Sequence, residues 1–209
     1  DFASGLDFWN VLGGSFSVTT AGGRANLFTG GGGGATSASM ATFLGVSQSQ
    51  ITSLNLSPGG VNRGSAISQL VGSAAPGNIP QAGSRIQFDW LFQSNEFPGE
   101  AFYRDYAFVT ISRPAGGGFS DLSQVIKLSD TVSLGGGLFS LVLPSNGPFT
   151  LGFGILNVGD NTVSSVIRID NVILRVPELN LQSGFLPLVL AGFALLLVQE
   201  RRPRSGRAL

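Results

Sequence analysis

The chain has 209 residues, 11% of them charged, with 31 glycines, 10 prolines, no cysteine and no histidine. The missing Cys and His exclude disulfide stapling, Ser–His or Cys–His nucleophilic catalysis and histidine–zinc chemistry. Residues 1–183 hold eight basic against eleven acidic groups, a net −3, and four arginines against Glu200 follow, a net +3; with no basic stripe ahead of the tail, nucleic acid is not an expected partner.

Beginning at Asp1 rather than Met, the chain is expected to have lost an export signal. Phe2, Leu6, Phe8, Trp9 and Val11, a Gly13-Gly14 turn and alternating residues up to Val18 predict two short strands, with a third over Arg24 to Phe28. The five glycines from Gly30 to Gly34 lack the Lys-Ser/Thr of a phosphate-cradling loop and read as a surface loop. Met40, Phe43 and Leu44 have helical spacing, and Ser47 with Gln50 has the shape of a capping box, so one or two short helices are expected at the sheet's edge. Pro58-Gly59-Gly60 breaks the chain before a strand over Ser65 to Val71.

The strand signal is strongest from Arg85, where Ile86, Phe88, Trp90 and Phe92 alternate with largely polar neighbours. Further strands are predicted over Tyr106 to Ile111, Gln124 to Leu128, Gly137 to Leu143 and Phe149 to Ile155, the last carrying Gly152 and Gly154 on one face. A closing strand over Val166 to Leu174 sets Ile167, Ile169 and Ile173 on one face and Arg168 and Asp170 on the other. Many short strands separated by Gly- and Pro-rich turns predict an all-β, antiparallel sandwich of jelly-roll type over residues 1–175.

Glu96, Glu100 and Asp105 lie in one loop region and leave a glycosidase-type carboxylate pair as the one catalytic arrangement open to this composition. Acidic residues between strands are more often solvated or bind calcium, so the protein is read as non-catalytic. Asn95, Glu96 and Asp105 are the calcium candidates, offering hard oxygen ligands at the end of the most hydrophobic strand. Exposed aromatic platforms for a sugar or matrix ligand are sought in Trp9, Tyr103 and Tyr106.

Between Glu178 and Glu200 runs a 21-residue segment without charge, Leu179 to Gln199. As a helix it covers roughly 30 Å, one hydrocarbon core. Residues 176–184 read as a linker and 185–199 as a single transmembrane helix with Phe185, Leu186, Leu188, Leu190, Phe193 and Leu196 on its apolar surface. Arg201, Arg202 and Arg204 within the basic tail 200–209 place the C-terminus in the cytoplasm and the sandwich outside it.

Val176-Pro177-Glu178, an apolar helix and a terminal arginine cluster resemble the sorting tail of bacterial PEP-CTERM proteins, with Leu179 standing where that signature has a second proline. Ile86 to Glu96 followed by Tyr103 to Val109, and Leu151 to Asp160 with Ile169 to Val172, are similar to blocks of PEP-CTERM ectodomains. Phe2 to Trp9 resembles the opening strand of carbohydrate-binding-like jelly rolls, with Ala3 in place of a glutamate. The resemblance implies an exported bacterial protein held in the membrane by one span, with its ectodomain periplasmic or extracellular. It also implies a second, weaker structural calcium position at Asp170. The expected role is that of a structural or accessory subunit of a larger membrane or envelope assembly, an energy-transducing or photosynthetic complex among the hosts, with lipid and other membrane subunits as partners. The alternative is a carbohydrate- or matrix-binding surface module with a glycan partner.

Overall fold

A computed structural model describes residues 2, 4–14, 17–29, 34–56, 60–72, 79–96, 102–113, 123–159 and 164–177. The expected membrane segment, the arginine tail, Glu100 and most of the glycine run lie outside these residues. Among the described residues no helix is long and apolar enough to cross a membrane. Contacts divide the chain into Asp1–Val176 and Pro177–Leu209, and the fold below belongs to the first.

Among the described residues eleven strands form two antiparallel sheets. Sheet A runs β1 (Asn10–Leu12), β5 (Val61–Val71), β10 (Phe149–Val158), β7 (Tyr106–Ser112), β8 (Ser123–Asp130), with β4 (Ala35–Thr36) also on β5. Sheet B runs β2 (Val18–Ala21), β3 (Arg24–Phe28), β11 (Ser165–Arg175), β6 (Arg85–Ser94), β9 (Gly136–Val142). The alternation read from Arg85 onward holds: Ile86, Phe88 and Phe92 are buried against Ile67, Val109, Leu151 and Phe153 of sheet A. Phe88 stacks on Phe139 at 4.7 Å and meets Phe153 edge-on at 4.8 Å. Each such ring removes on the order of 2–3 kcal/mol worth of apolar surface from water, which is how the two sheets hold without a disulfide.

Two short helices, α1 (Ser37–Leu44) and α2 (Gln48–Thr52), follow β4. Thr36 caps α1 by accepting from the Ser39 N–H, and left-handed Gly45 ends it. The capping box is present on α2: Ser47 accepts from the Gln50 N–H while Gln50 accepts from the Ser47 N–H. The helices lie on the outer face of sheet A rather than at its edge. Met40, Leu44 and Ile51 bury a second core there with Tyr106, Phe108, Leu156 and Val158. Ser112 Oγ donates to the Leu44 carbonyl and Tyr106 Oη to the Ile51 carbonyl, and Gln50 Nε2 donates to the Ser123 carbonyl. The glycines of β10 make this face possible, since a Cβ on Gly154 would lie 2.4 Å from the Phe108 ring and one on Gly152 2.4 Å from Leu44 Cδ2.

The closing strand departs from its expected pattern. Up to Asp170 the odd-numbered residues Ile167 and Ile169 face the core, but the register shifts between Asp170 and Ile173. Beyond the shift Val172 and Leu174 pack inward and Ile173 is 44% exposed, so Ile173 does not share a face with Ile167 and Ile169. One extra residue in a bulge reverses the parity of everything after it.

Substituting Gly154→Val should destabilise the fold by about 1–3 kcal/mol through overpacking against Phe108, seen as a lower urea midpoint with an unchanged slope. An unshifted midpoint would mean that the helix-covered face is loosely packed.

Candidate functional site

With helices over sheet A, the outer face of sheet B is the open broad face among the described residues. Side chains reach it from alternate positions: Asn26 and Arg24 on β3, Arg168 and Asp170 on β11, Leu91, Asp89 and Gln87 on β6, Leu138 and Ser140 on β9. The pairing lays these out in rows. Asn26, Arg168 and Leu91 are register partners in one row, and Asp170, Asp89 and Leu138 in the next.

Asn171 organises the second row. Its φ of +50° is the left-handed value that, among the described residues, no other non-glycine adopts. Asparagine tolerates this conformation better than most residues because its short polar side chain bonds locally. Here Asn171 Nδ2 donates to Asp89 Oδ2 at 2.7 Å, and the Asn171 N–H donates to Asp170 Oδ1 at 2.8 Å. Arg24 Nε donates to Asp170 Oδ2 at 2.9 Å, an ion pair whose arginine side chain is 55% exposed. Arg24, Asp89, Trp90, Leu91, Arg168, Asp170 and Asn171 line a depression of about 300 Å³. Exposed Leu91 adds apolar surface to a rim of charged and amide groups, while half-buried Trp90 turns its ring toward the core. That mixture, an apolar patch with a few convergent polar groups, is what holds a small polar ligand in a set orientation.

The residues singled out in the sequence fall elsewhere, apart from Asp170. Tyr106 is fully buried in the second core and burial pushes its phenol well above its usual pKa, so it remains a donor to Ile51 and is no ligand platform. Tyr103 is half-buried, with its ring beside Gly159 and its carbonyl accepting from Thr131 Oγ1. Trp9 packs between Phe2 at 5.2 Å and Phe153 at 5.7 Å. With exposed Phe8, Gln69 and Val172 it lines a second depression of about 270 Å³, in which no described residue is charged.

Asp105 is wholly buried and its carboxylate is turned inward. Oδ1 accepts from the Val158 N–H at 2.9 Å and Oδ2 from Thr29 Oγ1 at 3.2 Å. Thr29 Oγ1 in turn accepts from the Ser165 N–H. The carboxylate thereby ties the end of β10 in sheet A to the junction of β3 and β11 in sheet B. Asn95 is exposed whereas Glu96 is buried, and among the described residues no three acidic groups converge on a metal-sized point. Asp105 directs its oxygens to Val158 and Thr29, inside the fold, while Asn95 faces solvent. Asp170 accepts from Arg24 Nε at one oxygen and from the Asn171 N–H at the other.

Asn171→Val should cost about 1–2 kcal/mol, because a β-branched residue resists the left-handed backbone, whereas Asn171→Gly should unfold near the parent. Thermal melts of the pair would check this; equal losses would place the effect in the lost Asp89 bond rather than in the bulge.

No protein-family model and no curated protein matches the chain. Among solved structures, the chain is similar to one titled "CBM4 structure and function", at 12% identity and a TM-score of 0.41, over 84% of this chain and 90% of that one. It is likewise similar to a CBM61 module in complex with β-1,4-galactotriose, at 11% identity and a TM-score of 0.41, over 84% and 94%. A third, from work on the promiscuous specificity of carbohydrate-binding modules of the β-sandwich superfamily, has 10% identity and a TM-score of 0.42, over 83% of this chain and 60% of that one.

Proposed function

We propose that the protein is a non-catalytic glycan-binding module of jelly-roll type whose ligand lies across the open face of sheet B, tethered to a bacterial membrane by residues 185–199. The observation that carries the ligand reading is the depression formed by Arg24, Asp89, Arg168, Asp170 and Asn171 on the sheet face that the helices leave uncovered. Sugars present hydroxyls that donate and accept at once, and carboxylate, amide and guanidinium groups in fixed positions meet them with directional bonds. Leu91 supplies apolar surface for a ring's C–H face.

The acidic pair here serves binding better than hydrolysis. Asp89 and Asp170 are direct register partners, but Asp170 is held by Arg24 and by the Asn171 N–H, and Asp89 by the Asn171 amide. A general acid or base has to reach the bond being cleaved, and both carboxylates are already turned to these partners. The accessory-subunit reading draws its support from residues 178–209, outside the described fold. The tether belongs to the proposal on the strength of the tail's hydropathy and arginines.

Affinity electrophoresis of the full chain, in a detergent without a sugar headgroup, through gels containing soluble plant and bacterial polysaccharides tests the reading. At least one polysaccharide should retard the protein, and Asp89→Ala should weaken that retardation about tenfold or more, the scale of a lost charged hydrogen bond. Phe8→Ala, in the other depression, should leave it unchanged. Retardation lost with Phe8→Ala and kept with Asp89→Ala would move the ligand to the Trp9 side, and no retardation by any polysaccharide would contradict the function.

A further inference from the structure

The geometry points to an anionic saccharide, one bearing a uronate carboxylate or a sulfate, as the ligand class of this depression; the inference rests on the glycan-binding reading and names the class within it. Most acceptors around the depression are already engaged. Asp170 accepts at both oxygens, from Arg24 Nε and from the Asn171 N–H, and Asp89 Oδ2 accepts from Asn171 Nδ2. The donors are in surplus. Arg24 commits only Nε to its ion pair. The Arg168 side chain makes no hydrogen bond and no ion pair among the described residues, although the residue is half-buried and lines the depression.

None of the Arg168 guanidinium nitrogens is buried, so the fork's donors stand open at the depression. An anion seated there would supply the missing acceptors, and the flat guanidinium fork fits the oxygens of a carboxylate or sulfate two at a time. The rows set the rest of the arrangement. Arg168 lies beside Asn26 and Leu91, while Asp89 and Asp170 occupy the next row, two residues or about 7 Å along the strands. The ligand's charged group therefore sits at the Arg168 row, away from the carboxylates, and its hydroxyls reach Asp89, whose Oδ1 is open to a donor. The outer neighbours along β6, Gln87 and Gln93, and Ser140 on β9 are uncharged, so nothing in those positions answers the Arg168 charge.

Calorimetric titration of the full chain, in the same sugar-free detergent, tests this. The titrants are an oligogalacturonate, the same oligomer methyl-esterified at its carboxyls, a sulfated galactan oligomer, and neutral glucan and galactan oligomers. At least one anionic oligomer should bind about tenfold or more tighter than the neutral ones, and added salt should narrow the gap. Arg168→Gln should abolish that preference and Arg168→Lys should keep part of it, with both variants melting near the parent temperature. Preference for the uronate over the sulfate, or the reverse, identifies the anion. Equal affinity for free and esterified oligomers, or an anionic preference that survives Arg168→Gln, overturns the inference and leaves glycan binding standing. Failure of every oligomer to bind, neutral ones included, overturns both.

Discussion

The bulge at Asn171 is the constraint on which the described face depends. An uninterrupted β11 would carry its core pattern straight through, burying Ile173 and turning Val172 and Leu174 outward. One left-handed residue reverses that parity, keeps the far end of the strand in the core, and swings an amide across to Asp89. The same turn presents a backbone N–H to Asp170, whose other oxygen holds Arg24 on the neighbouring strand. Three strands are thus coupled on their solvent side by one local irregularity. Bulges of this kind recur beside binding sites because they re-aim side chains without breaking the sheet.

That face is available because the opposite one is closed. The glycines of β10 let Phe108 and Leu44 sit on the backbone itself, and α1 and α2 complete a second core over them. The central strands of sheet A are consequently covered on both sides, which is why β7 and β10 are buried along nearly their whole length. Sheet B has its core on one side and water on the other, and its pattern of apolar and polar positions follows. Asp105 locks the two sheets at one end through Thr29 and Val158. A buried carboxylate with matched donors fixes register here, so its conspicuous place in the sequence reflects architecture.

Much of the fold was legible before the structure. From Arg24 onward most strands fall where alternation and Gly or Pro turns set them, and the Ser47–Gln50 box forms as its spacing implies. The opening pair does not: residues 4–8 are turns and the strands there are only Asn10–Leu12 and Val18–Ala21. The site was less so. Aromatic residues drew attention to Tyr106 and Trp9, yet an isolated aromatic carries no mark of which face it takes, and the fold turns both toward apolar neighbours. Asp170 was visible as an acidic residue in the last strand, but its partner Arg24 is 146 residues away in sequence and only the β3–β11 register brings them together. Asn171 offered the one local signal that could have pointed to the site. An Asp-Asn pair inside a β-branched run favours a left-handed turn, and reading it as a bulge would have corrected Ile173 and exposed the row of Asp89 and Asp170.

The central claim is that ligand meets this protein on the outer face of sheet B, around the Asn171 bulge. Amide chemical-shift mapping of the isotope-labelled chain during titration with a retarding oligosaccharide addresses it directly. The account predicts that the perturbed amides cluster on Arg24–Asn26, Asp89–Leu91 and Arg168–Asn171, with α1 and α2 silent. Shifts concentrated on the helices, or around Phe8 and Trp9, with the β11 bulge unmoved, would contradict it.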